Sequence, residues 1–148
     1  MDAARPIEVI FLDMGDTLVR LAAPRTAIYL RLAAEAGITV DEDHFARTLA
    51  EVVRETDARN HGQGFAATRE ADRLQWRDFN SRLLQRLEIA EHLWDAAQHE
   101  IEEAFANPAN YSVFPEAPET LARLRAAGYR LAICSNWSWD LPLICERL

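Results

Sequence analysis

The apolar run Val9-Ile10-Phe11-Leu12 ends directly on a carboxylate, Asp13, and then on a Gly15-Asp16 turn signal. So short a run fits a strand buried on both faces, as in a parallel sheet, better than a helix. In open parallel sheets ligands bind just beyond the carboxyl ends of the strands. Asp13 therefore stands where such a fold places a reacting group. A second stretch repeats the pattern: Tyr129-Arg-Leu-Ala-Ile-Cys134 is another buried-strand run, ending in Ser135-Asn136. The segment from Val113 to Gly128 reads as the helix that leads into it.

These two stretches resemble the first and second motifs of the haloacid dehalogenase superfamily, most of whose members are phosphatases. The family's first motif is an apolar strand followed by Asp-x-Asp-Gly-Thr, and here it stands as Asp13-Met14-Gly15-Asp16-Thr17. The second is a strand ending in Ser or Thr, often followed by Asn. The resemblance is good over about residues 7–20 and 111–148, and between them it holds in character only. It implies an α/β fold, a partial Rossmann-like parallel-sheet core with an inserted α-helical cap. Residues 1–20 and 109–148 would form the core and residues 21–108 the cap.

The family reaction is phosphoryl transfer through an aspartyl-phosphate. A carboxylate attacking a phosphate dianion meets like-charge repulsion, which Mg²⁺ neutralises. Splitting hydrolysis into two displacements is covalent catalysis. By resemblance Asp13 is nucleophile and metal ligand, and the Gly15 carbonyl is the second ligand to Mg²⁺. Substrate binding falls to Gly15, Asp16, Thr17, Ser135 and Asn136: N–H groups around Gly15 and Asp16 would cradle phosphoryl oxygens, and the Ser135 hydroxyl and Asn136 N–H another. The implied substrate is a small phosphorylated molecule.

Three parts of the family pattern are missing. Gly15 replaces the Asp that serves as general acid and base, a role typically worth about 10²–10⁴-fold. Good leaving groups would then be favoured, unless another group such as Asp16 donates the proton. The sixteen positive residues are all Arg, so the family's phosphate-holding Lys is absent. After the second strand only Asp140 and Glu146 are acidic, and no acidic pair completes a magnesium site. The expectation is a chain lacking two further strand-helix units of about 30 residues each. Such a chain would have little activity of its own, and its first strand would keep an open edge. Open edges invite pairing, so a homodimer or swapped assembly is expected. Two other readings stay open: a metal-free 2-haloacid dehalogenase using the same Asp, and a non-catalytic protein serving binding or assembly.

A hydrophobic fraction of 49% over 148 residues is enough for a packed core. A net charge of −8 argues against nucleic acid, whose phosphates need a basic footprint. No apolar run approaches a membrane span, and no signal peptide is evident after Met1-Asp-Ala-Ala-Arg-Pro6, so a soluble cytoplasmic protein is expected. Cys134 and Cys145 read as core thiols rather than a disulfide.

Between residues 25 and 106 the period turns helical. Ile28, Leu32 and Ala36 share one face, with Gly37 as the stop. Phe45, Leu49, Val52 and Val53 share a second face, with Thr39 and Glu42 as a capping box ahead of it. Trp76, Phe79, Leu83 and Leu87 mark a third helix, and Trp94, Ala97, Ile101 and Phe105 a fourth. Together they predict a small bundle with the aromatics in its core. Asn60-His-Gly-Gln-Gly-Phe65 reads as a loop. None of His44, His61, His92 and His99 has metal-ligand spacing; only His61, on that loop, could face a substrate.

Overall fold

The computed structural model describes residues 7–61 and 68–148. The leader at residues 1–6 and most of the glycine loop after His61 lie outside the described residues. The strands and helices, in chain order, are β1 (Val9–Leu12), β2 (Val19–Leu21), α1 (Arg25–Glu35), α2 (Glu42–Asn60), α3 (Arg69–Arg86), α4 (Trp94–Ala106), β3 (Tyr111–Val113), α5 (Ala117–Ala126), β4 (Arg130–Ile133) and α6 (Leu141–Arg147).

β1 and β4 pair in parallel, with Val9 opposite Arg130 and Leu12 opposite Ile133. The connection between them is long, as a parallel pair requires. Within it, β2 and β3 form a short antiparallel ribbon, with Val19 opposite Val113 and Leu21 opposite Tyr111. The alternation Val19-Arg20-Leu21 carries its signal, with Val19 buried and Arg20 exposed. The ribbon joins the two ends of the helical segment.

Helices α1 to α4 pack on one another around Tyr29, Phe45, Leu49, Val52, Phe79, Leu83 and Ile101. Val52 and Leu83 are 0% and 1% exposed, and truncation of such side chains typically costs about 2–5 kcal/mol. The buried Asn80 and Gln98 side chains inside the bundle are paired. Tyr29 donates to Asn80 Oδ1 at 3.1 Å. Gln98 accepts from Arg77 Nε at 2.9 Å and donates to Ser81 Oγ at 3.0 Å.

The helix ends follow local chemistry. The α2 cap is Asp41, whose Oδ1 accepts from the His44 N–H at 2.8 Å, so the Thr39–Glu42 box expected from the sequence does not form. A carboxylate directly before the first helical residue serves the free N–H groups best. Thr68 caps α3 in the same way. Gly37 and Gly128 close α1 and α5 with φ of 72° and 85°. Val53 lies at the rim of the bundle, 36% exposed, and Thr48 takes the buried place on that face.

Two expectations about the sheet are corrected. β1 is parallel but not buried on both faces: Phe11 is 69% exposed, and Ile133 at the end of β4 is 42% exposed. A two-stranded sheet with α5 against β4 leaves one face open among the described elements. Cys134 and Cys145 are both free and exposed, rather than core thiols. Among the described residues no helix is long and apolar enough to cross a membrane.

Candidate active site

Asp13 leaves the end of β1 beside the end of β4, because the Cys134 N–H donates to the Leu12 carbonyl at 2.9 Å. The parallel register thus brings Asp13 and Ser135 out of the sheet side by side. The turn that follows is tied by the Met14 carbonyl, which accepts from the N–H groups of Leu18 and Val19 at 2.9 and 3.1 Å. Met14 is 4% exposed and anchors the turn. The Asp16 N–H donates to the Val19 carbonyl at 2.7 Å, so it is already used within the turn. Asp16 has φ of 54°. The family motif places Gly at this position, and a short acidic side chain is among the few that tolerate it.

The Asp13 carboxylate is exposed and held in its charged form. The Ser135 hydroxyl, the Met14 backbone N–H and the Thr17 hydroxyl, in that order, lower its pKa below the ordinary carboxylate value. Thr17 Oγ1 donates to Asp13 Oδ2 at 3.0 Å. Ser135 Oγ is near enough to favour the charge but closes no hydrogen bond of good geometry. It is buried without a partner. Such an orphaned oxygen beside a charged carboxylate is one that an oxygen-rich ligand would satisfy. Asn136 follows it and is exposed. The structure therefore brings Asp13, Thr17 and Ser135 together, with Gly15, Asp16 and Asn136 on the two flanking turns.

Trp137, which the sequence reading passed over, borders the same turn. A Cβ built on Gly15 would stand 3.2 Å from Trp137 Cζ3 and 3.5 Å from Cε3. The ring packs on Tyr111 with centroids 5.2 Å apart. Tyr111 donates to the Phe105 carbonyl at 2.7 Å, and burial pushes its pKa up to about 12. The only sequence signal was the large aromatic next to Ser135-Asn136; chain distance from Gly15 hid the contact.

The helices reach this region through the loop after β4. The Trp139 N–H donates to Asp72 Oδ2 at 3.3 Å, and Arg69 pairs with Asp140 at 3.5 Å. Burial raises the Asp72 pKa; the Trp139 N–H opposes this and the nearby Asp140 charge adds to it. Arg25 lies over the rings of Trp76 and Phe105 at 5.7 and 5.3 Å. His61 caps the end of α2 and is exposed. A groove lined by Leu30, Ala34, Ile38 and Val40 contains none of the candidate site residues, so it lies apart from this chemistry.

The donors available for Mg²⁺ are the Asp13 carboxylate and the Gly15 carbonyl. They are hard oxygens of the right type. Among the described residues, however, no group of three or more His, Cys, Asp or Glu side chains could hold a metal. The described residues thus do not make a full magnesium centre.

No curated protein matches the sequence. Among solved structures, the chain is similar to a crystal structure of a dehalogenase, with a TM-score of 0.52 and 19% identity. The similarity covers 95% of this chain and 56% of the other, so the chain spans little more than half the length of that structure. At this identity the likeness speaks for the fold. The family model of haloacid dehalogenase-like hydrolases matches residues 7–142, nearly the whole sequence, and the chain belongs to that family of hydrolases.

Proposed function

We propose that Asp13 is the nucleophile of a hydrolase that works through a covalent aspartyl intermediate, with a small phosphorylated metabolite as substrate. The observation that carries this reading is the Asp13 carboxylate itself. It is exposed, held charged by Thr17 and Ser135, and set beside the orphaned Ser135 Oγ. Asp13 Oδ attacks phosphorus, the bond to the leaving oxygen breaks, and the leaving group carries off the electron pair. Water then cleaves the acyl phosphate and regenerates the carboxylate. Ser135 and the Asn136 N–H hold a non-bridging oxygen, with Gly15, Asp16 and Thr17 shaping the opposite wall. Mg²⁺ dependence belongs to this proposal through Asp13 and Gly15, although the described residues supply only one carboxylate for it.

A second reading keeps Asp13 and changes the atom attacked. In a 2-haloacid dehalogenase the carboxylate displaces halide from carbon, and the resulting ester is hydrolysed. Halide needs no proton to depart, which suits a site with Gly15 in place of an acid. The similar solved structure is of a dehalogenase, which is consistent with this reading.

The helical segment from α1 to α4 fits a cap over the site, supported by its contacts through Trp139, Asp72, Arg69 and Asp140. A second copy of the chain is the proposed partner, pairing on the free edge of β1, where Ile7 and Phe11 are 56% and 69% exposed. A cytoplasmic setting is in keeping with two free thiols.

The test is turnover by the 148-residue chain. Acetyl phosphate and p-nitrophenyl phosphate are offered with and without Mg²⁺, and 2-chloropropionate without metal. Phosphate release lost in Asp13→Asn supports the first reading, and halide release lost in the same variant supports the second. Turnover that survives Asp13→Asn refutes both.

A further inference from the structure

The sequence departs from the family at Gly15, and the structure gives that departure a physical partner. Gly15 is not in the left-handed region: among the described residues the glycines with positive φ are Gly37 and Gly128. An ordinary L-residue would therefore suit its backbone. The obstacle to a side chain is the Trp137 ring, 3.2 Å from where a Cβ would stand. A contact that short forces the ring to move. The ring also packs on Tyr111, with centroids 5.2 Å apart, and Tyr111 is itself 9% exposed and tied to the Phe105 carbonyl.

We propose that Trp137 is a specificity-determining residue, which fills the space a general acid at position 15 would need and so restricts the site to leaving groups that depart as stable anions. The substrate class is acyl phosphates, phosphates of acidic phenols, or halides; simple alkyl phosphates are excluded. The proposal rests on the reading of Asp13 as nucleophile. In the reaction, Asp13 Oδ bonds to the reacting centre and the leaving group departs with its electron pair and no proton. An alkoxide does this poorly, whereas a carboxylate, an acidic phenolate or a halide does it readily.

The experiment compares the wild-type chain with Gly15→Asp, Trp137→Ala and the double variant. Each is offered acetyl phosphate, p-nitrophenyl phosphate, phenyl phosphate and ethyl phosphate with Mg²⁺, and thermal melts of all four proteins run alongside. The expected wild-type rate falls steeply as the leaving group becomes more basic. Gly15→Asp alone lowers the melting temperature and gains nothing on ethyl phosphate. The double variant recovers the melting temperature relative to the sum of the single changes and gains on ethyl phosphate, by up to the roughly 10²–10⁴-fold that a general acid contributes. The proposal is overturned if wild type treats ethyl and p-nitrophenyl phosphate alike, or if Gly15→Asp gains as much alone as with Trp137→Ala. Turnover of no substrate by any variant, with the melts still showing the two positions coupled, overturns the proposal and the nucleophile reading for this 148-residue chain acting by itself. Melts without coupling overturn the steric claim alone.

Discussion

Thr17 Oγ1 donates a 3.0 Å hydrogen bond to Asp13 Oδ2 across one tight turn. The nearby Ser135 hydroxyl, the Met14 N–H and that bond favour the carboxylate over the acid, and they outweigh the opposing effect of burial. The folded pKa of Asp13 is depressed, so its stabilising contribution is present above the ordinary carboxylate value and is lost as pH falls through the folded value. A carboxyl-carbon NMR titration should find Asp13 ionised below the range of ordinary aspartates. Thr17→Val and Ser135→Ala should each move its midpoint upward. A midpoint at the ordinary value in wild type would remove the electrostatic basis of the site.

Glu88 follows α3 with φ of 55°, in the position where Gly37 and Gly128 close α1 and α5. Its N–H donates to the Gln85 carbonyl and the next N–H, of Ile89, to that of Leu84, so the turn is a Schellman motif without its glycine. The long Glu side chain carries the left-handed penalty that glycine avoids. Glu88→Gly is expected to stabilise the chain by roughly 0.5–1 kcal/mol after the loss of chain stiffness is counted. Urea unfolding of the two proteins checks this, and a destabilised variant would refute it.

Tyr29 and Asn80 share a buried hydrogen bond of 3.1 Å. Asn80 is 1% exposed, so Tyr29→Phe strands its side-chain oxygen. The expected loss is about 1–3 kcal/mol, read by chemical denaturation. Burial also pushes the Tyr29 pKa from 10.0 up to about 12. The neutral phenol's contribution is complete below pH 10.0 and fades as pH rises toward about 12. The wild type should therefore lose its advantage over Tyr29→Phe across that alkaline window.

Phe11 lies on the open face of the sheet and is 69% exposed. Apolar surface beside an unpaired strand edge favours pairing with another copy. Sedimentation at micromolar concentration should show a dimer or larger assembly that Phe11→Lys weakens. A monomer in both proteins would dismiss assembly through β1.

Local rules made much of this protein legible in its sequence. The apolar runs before Asp13 and Ser135 marked two parallel strands, because a short unbroken run ending in turn residues has few other uses. The spacing of Phe79 and Leu83 on α3, and of Ile101 and Phe105 on α4, marked helices, because period 3.6 puts each pair on one face turned to the core. Gly37 and Gly128 marked helix ends through their freedom at positive φ. What only the tertiary structure decided depends on contacts between distant stretches. No local rule sets Trp137 over Gly15 or Tyr111 behind Trp137. The exposure of Phe11 and Cys134 was equally illegible, because a strand's sequence records its preference for burial while its burial depends on which other elements cover it.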